Sequence, residues 1–313
     1  MMPASPALAQ AAGRPPVWKI WFLAVRPFSF TTSTVPILAA STLALFHGAF
    51  SPRDLVLMLI ASMATHAGCN LANDYYDDAS GVDQAQVIGQ AGVLQQGWLT
   101  RRDLGIAIIV SFAIALVAAL PIMLDIGWPI VVLAVLSAAA AYFYTGGPYP
   151  LAYWALGEVT VFLAMGTGMV IGAYYVHTGS VSLQSVLLSL VVGCVVTAIL
   201  HANNIRDREV DRAHRKRTLA NLLPRRVADL EYQALVLLPW PLLAIMVALD
   251  PASWPLIVTL AALPKAILLA RTIPDARTPH ELNPFVRKSA GLHMQLGLLI
   301  ALGYLIADLI GGI

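Results

Sequence analysis

Nine stretches of the chain are apolar over about 18 residues or more. Between them the polar residues gather in a few narrow windows. The stretches fall near residues 22–47, 54–76, 103–124, 127–145, 155–177, 182–204, 232–249, 252–272 and 288–311. A helix crosses roughly 30 Å of hydrocarbon with about 20 apolar residues, so each stretch predicts a transmembrane helix. The expected fold class is therefore an all-α, polytopic membrane protein with nine spans. Residues 1–17 are rich in Ala and Pro without a charged region leading into an apolar core, which argues against a cleaved signal peptide. They are expected to form a disordered tail ahead of a single transmembrane domain at 18–313.

Composition sharpens this picture. The 313 residues are 58% hydrophobic and 12% charged, with a mean hydropathy of +0.74. Ordinary soluble domains carry roughly 25% charged residues, so a soluble globular protein is excluded and membrane lipid is the expected surround. The net charge of +2 is too small to point to nucleic acid, and no nucleic-acid partner is expected. Placement is more informative than sum. Of nineteen Lys and Arg, seventeen lie at the N-terminus or beside the loops that follow spans 2, 4, 6 and 8; Arg53 and Lys265 are the exceptions. Basic loops stay on the cytoplasmic side, so the N-terminus and those loops are expected to face the cytoplasm from the cell membrane. Cys69 and Cys194 sit inside apolar stretches, far from any metal or redox spacing, and read as small core residues. Nothing in the pattern fixes an oligomeric state.

Two of the cytoplasmic loops, 77–102 and 205–231, are far longer than the usual helix connection of about 2–8 residues, and acids crowd them. Span 2 ends in Thr65-His66-Ala67-Gly68-Cys69-Asn70-Leu71-Ala72-Asn73-Asp74-Tyr75-Tyr76-Asp77-Asp78, followed by Gly81 and Asp83. His66, Asn70, Asn73/Asp74 and Asp77 recur every three or four residues and form one polar stripe on an apolar cylinder. Span 6 has the same design in Thr197, His201, Asn204, Asp207 and Asp211. Lipid cannot face such stripes, and polar groups inside a membrane usually mark function. Carboxylates spaced this way repel one another unless a cation lies between them. Mg²⁺ is commonly held by one or two carboxylates plus phosphate oxygens, so the two clusters suit Mg²⁺ ions around a diphosphate. Arg206, Arg208, Arg212, Arg215, Lys216 and Arg217 follow the second cluster, a cationic group fitted to a departing polyphosphate. His66 and His201 read first as interhelical hydrogen bonders, with catalysis as the alternative. Arg225 and Arg226 read as lipid-headgroup contacts.

The motifs also carry a resemblance. Asn73-Asp74-Tyr75-Tyr76-Asp77 with Gly81 and Asp83, and Asn203-Asn204-Ile205-Arg206-Asp207 with Asp211 and Lys216-Arg217-Thr218-Leu219, resemble the two aspartate-rich motifs of the UbiA superfamily of intramembrane prenyltransferases. Arg26-Pro27-Phe28-Ser29-Phe30 and Leu156-Gly157-Glu158-Val159 resemble in particular its 1,4-dihydroxy-2-naphthoate polyprenyltransferase branch. The resemblance implies a nine-helix bundle with a central cavity and Mg²⁺ as cofactor. It makes Asp74, Asp77, Asp83, Asp207 and Asp211 metal ligands, Asn73 and Asn204 their polar neighbours, and Arg206, Lys216 and Arg217 diphosphate contacts. Asn70, His66, His201 and Arg26 are further candidates. The implied substrates are a polyprenyl diphosphate and an aromatic acid, and the implied product is a demethylmenaquinone. In two places the chain departs from the family: Ala213-His214-Arg215 replaces a smaller stretch before Lys216, and no basic residue lies between Gln84 and Gly97.

Two other readings stand beside this one. Another aromatic acceptor, such as homogentisate or 4-hydroxybenzoate, would leave the chemistry unchanged. A secondary transporter would need acids near the bilayer midplane, whereas here they cluster at one interface.

Overall fold

A computed structural model describes residues 14–80, 93–145 and 150–311, with the side chains of 77–80 and Thr145 excepted. Its described residues are helical almost throughout, as apolar sequence in lipid requires: a spanning segment must satisfy every backbone N–H and C=O within itself.

Helix α1 (Val17–Val25) ends where Arg26 takes a left-handed conformation, φ 56°. A 3₁₀ turn (Pro27–Phe30) then leads into α2 (Thr31–Phe46). The first expected span is thus a broken pair that starts at Val17, five residues before the apolar run suggests. Helix α3 (Pro52–Ser80) carries the first acidic motif at its C-terminal end. Helix α4 (Arg101–Ile126) starts at a capping box in which Thr100 and Asp103 exchange side-chain to backbone hydrogen bonds. After α5 (Trp128–Thr145) comes α6 (Gly157–Thr178), whose middle, Phe162–Gly168, is π-helical. Helix α7 (Leu183–Arg206) is capped by Ser182 and carries the second motif.

The expected loop at 205–231 is largely helical. It contains α8 (Arg208–Ala213), α9 (Leu219–Leu222) and the first two turns of α10 (Arg225–Leu237). Those turns are too charged to register as an apolar span. The seventh span continues through α11 (Pro239–Leu249). The eighth is a 3₁₀ segment (Pro251–Ala262) followed by α12 (Leu263–Thr272), and α13 (Pro279–Gly311) closes the chain.

Among the described residues, eight helical stretches are long and apolar enough to cross a membrane. A shorter apolar helix, Trp128–Tyr144, stands where the ninth span is expected. At 1.5 Å per residue it reaches only ~25 Å. The expected tail at 1–17 falls mostly on residues 1–13, outside the described residues.

The main core runs through α2, α7, α10 and α13, with Leu43, Val191, Val195, Tyr232, Leu296 and Tyr304 buried. A smaller cluster of Ile20, Ala24, Leu71 and Leu104 joins α1 to α3 and α4, beneath the first motif. Helices α6 and α7 approach backbone to backbone: a Cβ on Gly166 would stand 2.3 Å from Gly193 Cα. This close approach sets Glu158 of α6 against the polar stripe of α7.

Candidate active site

The stripe on α3 meets the break between α1 and α2. The left-handed turn at Arg26 swings its guanidinium onto Asp74, which is 5% exposed, and the two form an ion pair. One turn deeper, Asn70 Nδ2 donates to the Val25 carbonyl at 2.9 Å and to Ser29 Oγ at 3.1 Å. His66 is deeper still. Its Nε2 lies 3.0 Å from Ser29 Oγ and its Nδ1 2.5 Å from Ser33 Oγ. His66 and Asn70 therefore tie α3 to the start of α2, the interhelical role expected of a membrane histidine. Asn73 is half-buried one step from Asp74. The backbone of Asp77 continues the helix, but its side chain and all of Asp83 lie outside the described residues.

The second stripe is organised around Glu158. Its Oε1 accepts from Asn204 Nδ2 at 2.8 Å and lies 3.2 Å from His201 Nδ1. On its other side the His201 ring faces the Ala228 carbonyl at 2.9 Å, with Glu231 3.7 Å away. The ring thus bridges α6, α7 and α10. One turn on, Arg206 donates to both oxygens of Asp207, at 2.7 and 2.6 Å. It also donates to Asn203 Oδ1 at 2.6 Å and, across the bundle, to Asn283 Oδ1 at 3.0 Å. The Arg206 guanidinium is thus engaged on every side and only 7% of the residue is exposed, an arrangement that holds Asp207 rather than offering a free cation.

Past α7 the chain folds back on itself. Asp211 N–H donates to the Asp207 carbonyl, and Lys216 Nζ lies 3.2 Å from Asp211 Oδ1. Arg217 and Trp154 form a short parallel bridge: Arg217 N–H donates to the Tyr153 carbonyl and Ala155 N–H to the Arg217 carbonyl. The bridge is flanked by Ala155 and Arg215, both left-handed at φ 57° and 58°. Above it Lys216 Nζ sits 5.8 Å from the Tyr153 ring and the Arg217 guanidinium 5.8 Å from the Trp154 ring, within cation–π range. Lys216 and Arg217 are therefore both carried on a strap joining the α5–α6 and α8–α9 connections.

Asp211 supplies the test of fit for a divalent ion. Burial pushes its carboxyl up from the usual carboxylate range, against the pull of Lys216. Its Oδ2 is buried with no hydrogen-bond partner. An oxygen left in that condition suits a hard cation. Among the described residues no three His, Cys, Asp or Glu side chains converge as a ready cage. Mg²⁺ needs no such cage when substrate oxygens complete its shell.

The model of the UbiA prenyltransferase family matches residues 33–296. The chain belongs to the UbiA prenyltransferase family. Among curated UbiA relatives, the Bacillus subtilis (strain 168) 1,4-dihydroxy-2-naphthoate octaprenyltransferase is 29% identical over 289 residues, covering 92% of each chain. The Mycobacterium leprae protein of the same name is 31% identical over 276 residues, 88% of this chain and 92% of that one. A UbiA homolog from Archaeoglobus fulgidus, solved with GPP and Mg²⁺, superposes with a TM-score of 0.64 at 15% identity over 90% of this chain and 99% of the homolog. The fold is therefore UbiA-like, and the protein is an integral membrane protein.

Glu158 and Asn283 are site neighbours that the apolar pattern does not single out. A lone carboxylate inside an apolar span is a signal in its own right, and Glu158 carries it. Asn283 carries none, because its partner lies 77 positions away in sequence.

Proposed function

We propose that this UbiA protein transfers a polyprenyl group from a polyprenyl diphosphate to 1,4-dihydroxy-2-naphthoate. The allylic C–O bond breaks with its electron pair going to the diphosphate, and the ring carbon bearing the carboxylate bonds to the prenyl carbon. That carboxylate then leaves as CO₂, returning its electron pair to the ring. The product is the reduced form of a demethylmenaquinone. One observation carries this reading above others: the relatives named for this reaction align with about nine-tenths of the chain, and the alignment takes in both acidic motifs.

In this reading Asp74, Asp77, Asp83, Asp207 and Asp211 hold Mg²⁺, with Asn73 and Asn204 beside them. Bound Mg²⁺ supplies charge neutralisation to the diphosphate as it leaves. The chain's own residues do the rest. Lys216 and Arg217 face the head group from the strap, Arg206 orients Asp207, and Glu158 fixes Asn204. Arg26 is the countercharge of Asp74. The motifs face the cytoplasm of the cell membrane, as the basic loops argue.

The test is mass analysis of the product formed by purified protein from a polyprenyl diphosphate with Mg²⁺. Three acceptors are supplied separately: 1,4-dihydroxy-2-naphthoate, homogentisate and 4-hydroxybenzoate. A prenylated, decarboxylated naphthalene product is expected. Turnover of 4-hydroxybenzoate or homogentisate alone would replace the acceptor while keeping the reaction class. Absence of diphosphate release with all three would overturn the enzyme reading.

A further inference from the structure

A second polar feature lies away from the acidic motifs, where the seventh and eighth spans meet at their charged ends. There a cavity of about 350 Å³ opens between α10 and the turn after α12. That volume lies within the ~300–1,000 Å³ of ordinary ligand sites. Two polar clasps hold its walls together. Arg225 donates from Nε to Asp229 at 2.8 Å and from Nη2 to the carbonyls of Ile273 and Ala276 at 3.1 and 3.0 Å. Two turns along α10, Gln233 Nε2 donates to the Ala270 carbonyl at 2.8 Å.

The clasps determine where the charge stands. Arg225 is neutralised by Asp229, itself buried. Arg226 and Arg277, on opposite walls, are exposed and make no ion pair among the described residues. The nearest acid in sequence after Arg277, Glu281, accepts instead from the backbone N–H groups of Arg277 and Thr278. Asp275, exposed two residues before Arg277, likewise forms no ion pair with it among the described residues, so the cavity presents two guanidinium groups that no salt bridge holds. Leu230 stands one helical turn beyond Arg226 on the same face, 55% exposed at the cavity wall.

We propose that this cleft is a binding site for the headgroup of an anionic phospholipid, with the phosphate between Arg226 and Arg277 and the start of an acyl chain on Leu230. Guanidinium pairs match phosphate oxygens in charge and geometry. Basic pockets between membrane helices take acidic lipid head groups for the same reason. The apolar wall favours a lipid over a free anion, since a soluble phosphate gains nothing from Leu230. The site is separate from the prenyl-transfer residues, and a silent enzyme would leave it unaffected.

Native mass spectrometry of the full-length protein, purified in detergent and mixed with equal phosphatidylglycerol and phosphatidylcholine, tests the proposal. The wild type should retain phosphatidylglycerol at least about tenfold more than phosphatidylcholine. The double variant Arg226→Gln/Arg277→Gln should lose that preference, and Arg226→Lys/Arg277→Lys should keep part of it. Arg53→Gln, which removes an exposed charge from the first residues of α3, should change nothing. Undiminished preference in the double Gln variant would overturn the site. So would equal retention of both lipids by the wild type. Displacement of the lipid by millimolar inorganic phosphate would show an anion site without lipid specificity, and the proposal would fall. The melting temperature of each variant separates loss of the site from loss of the fold.

Discussion

Arg26 forms an ion pair with Asp74, 48 positions along the chain, and it does so from a left-handed backbone. One residue thus performs two tasks. Its φ of 56° stops α1 and lets Pro27 begin a new turn, and its side chain gives a buried carboxylate its countercharge. The left-handed region costs a residue with a Cβ roughly 1–2 kcal/mol. That cost is accepted where the surrounding structure overdetermines the conformation.

These two tasks can be separated. Arg26→Gly and Arg26→Ala both delete the ion pair, but only Gly removes the backbone cost. Thermal unfolding in detergent should therefore rank wild type first, then Arg26→Gly, with Arg26→Ala lower by about 1 kcal/mol. Equal stability for the two variants would show that the turn at Arg26 is not under backbone strain.

Much of this architecture is legible from the chain alone, because lipid imposes a simple rule on composition. The spans and the stripes of α3 and α7 follow from hydropathy and a 3.6-residue period. His66, Asn70 and Asp74 do share a face, and so do His201 and Asn204. Contacts set by tertiary closure are less legible. Arg206 is read from sequence as a diphosphate contact, and no local pattern announces that Asn283 and Asp207 also close around it. The strap joining Trp154 to Arg217 depends on two left-handed non-glycine residues that no propensity indicates. The π segment of α6 and the 3₁₀ start of the eighth span are hidden for the same reason: both are apolar, and hydropathy does not distinguish one helix type from another.

The contact of α6 with α7 gives a packing prediction. A methyl group on Gly166 would meet Gly193 Cα at 2.3 Å and Gly193 N at 2.9 Å, and backbone cannot swing aside. Gly166→Ala should cost about 3 kcal/mol or more, at the upper end of overpacking penalties. Gly193→Ala should cost less, because its new methyl meets the edge of the Phe162 ring at 3.0 Å, a side chain that can turn. Chemical unfolding in detergent would measure both. A milder effect for Gly166→Ala than for Gly193→Ala would contradict this packing.

Glu158 offers a test of how the second motif is held. Glu158→Gln keeps a carbonyl oxygen for Asn204, whereas Glu158→Ala leaves Asn204 and His201 facing an empty space. The Ala variant should lose about 3 kcal/mol, as when one member of a buried pair is removed, and the Gln variant about 1. If the two variants lost equal stability, the hydrogen bond to Asn204 would be irrelevant to the fold.

Removing divalent metal should abolish turnover, with Mg²⁺ restoring it. Asp211→Asn should raise the Mg²⁺ concentration needed for half-maximal rate by at least about tenfold, since it removes the charge from the buried, unpartnered Oδ2. A thermal shift on adding Mg²⁺ and a diphosphate would report the same loss without relying on catalysis. Full activity in excess chelator would end the metal reading.

The division of labour among the arginines and lysines follows from what the transition state needs. As the C–O bond breaks, negative charge grows on the diphosphate, so a cation beside it stabilises the transition state more than the bound substrate. Four candidates differ in how free they are. Arg206 is closed in by Asp207, Asn203 and Asn283, and Arg225 by Asp229 and two carbonyls. Lys216 has a single carboxylate partner among the described residues, Asp211 at 3.2 Å, and the Arg217 guanidinium stands over Trp154. Lys216→Ala and Arg217→Ala should therefore lower kcat at least about tenfold, on the order of 1.4 kcal/mol of barrier. Arg225→Ala should lower the melting temperature and leave kcat nearly unchanged. Arg206→Ala should do both, because it frees Asp207 and cuts the link to Asn283. The kinetics must separate turnover from affinity, since a cation that only docks the donor would raise KM alone. Intact kcat with a raised KM in both strap variants would assign Lys216 and Arg217 to docking and leave the departing diphosphate without a cation from the strap.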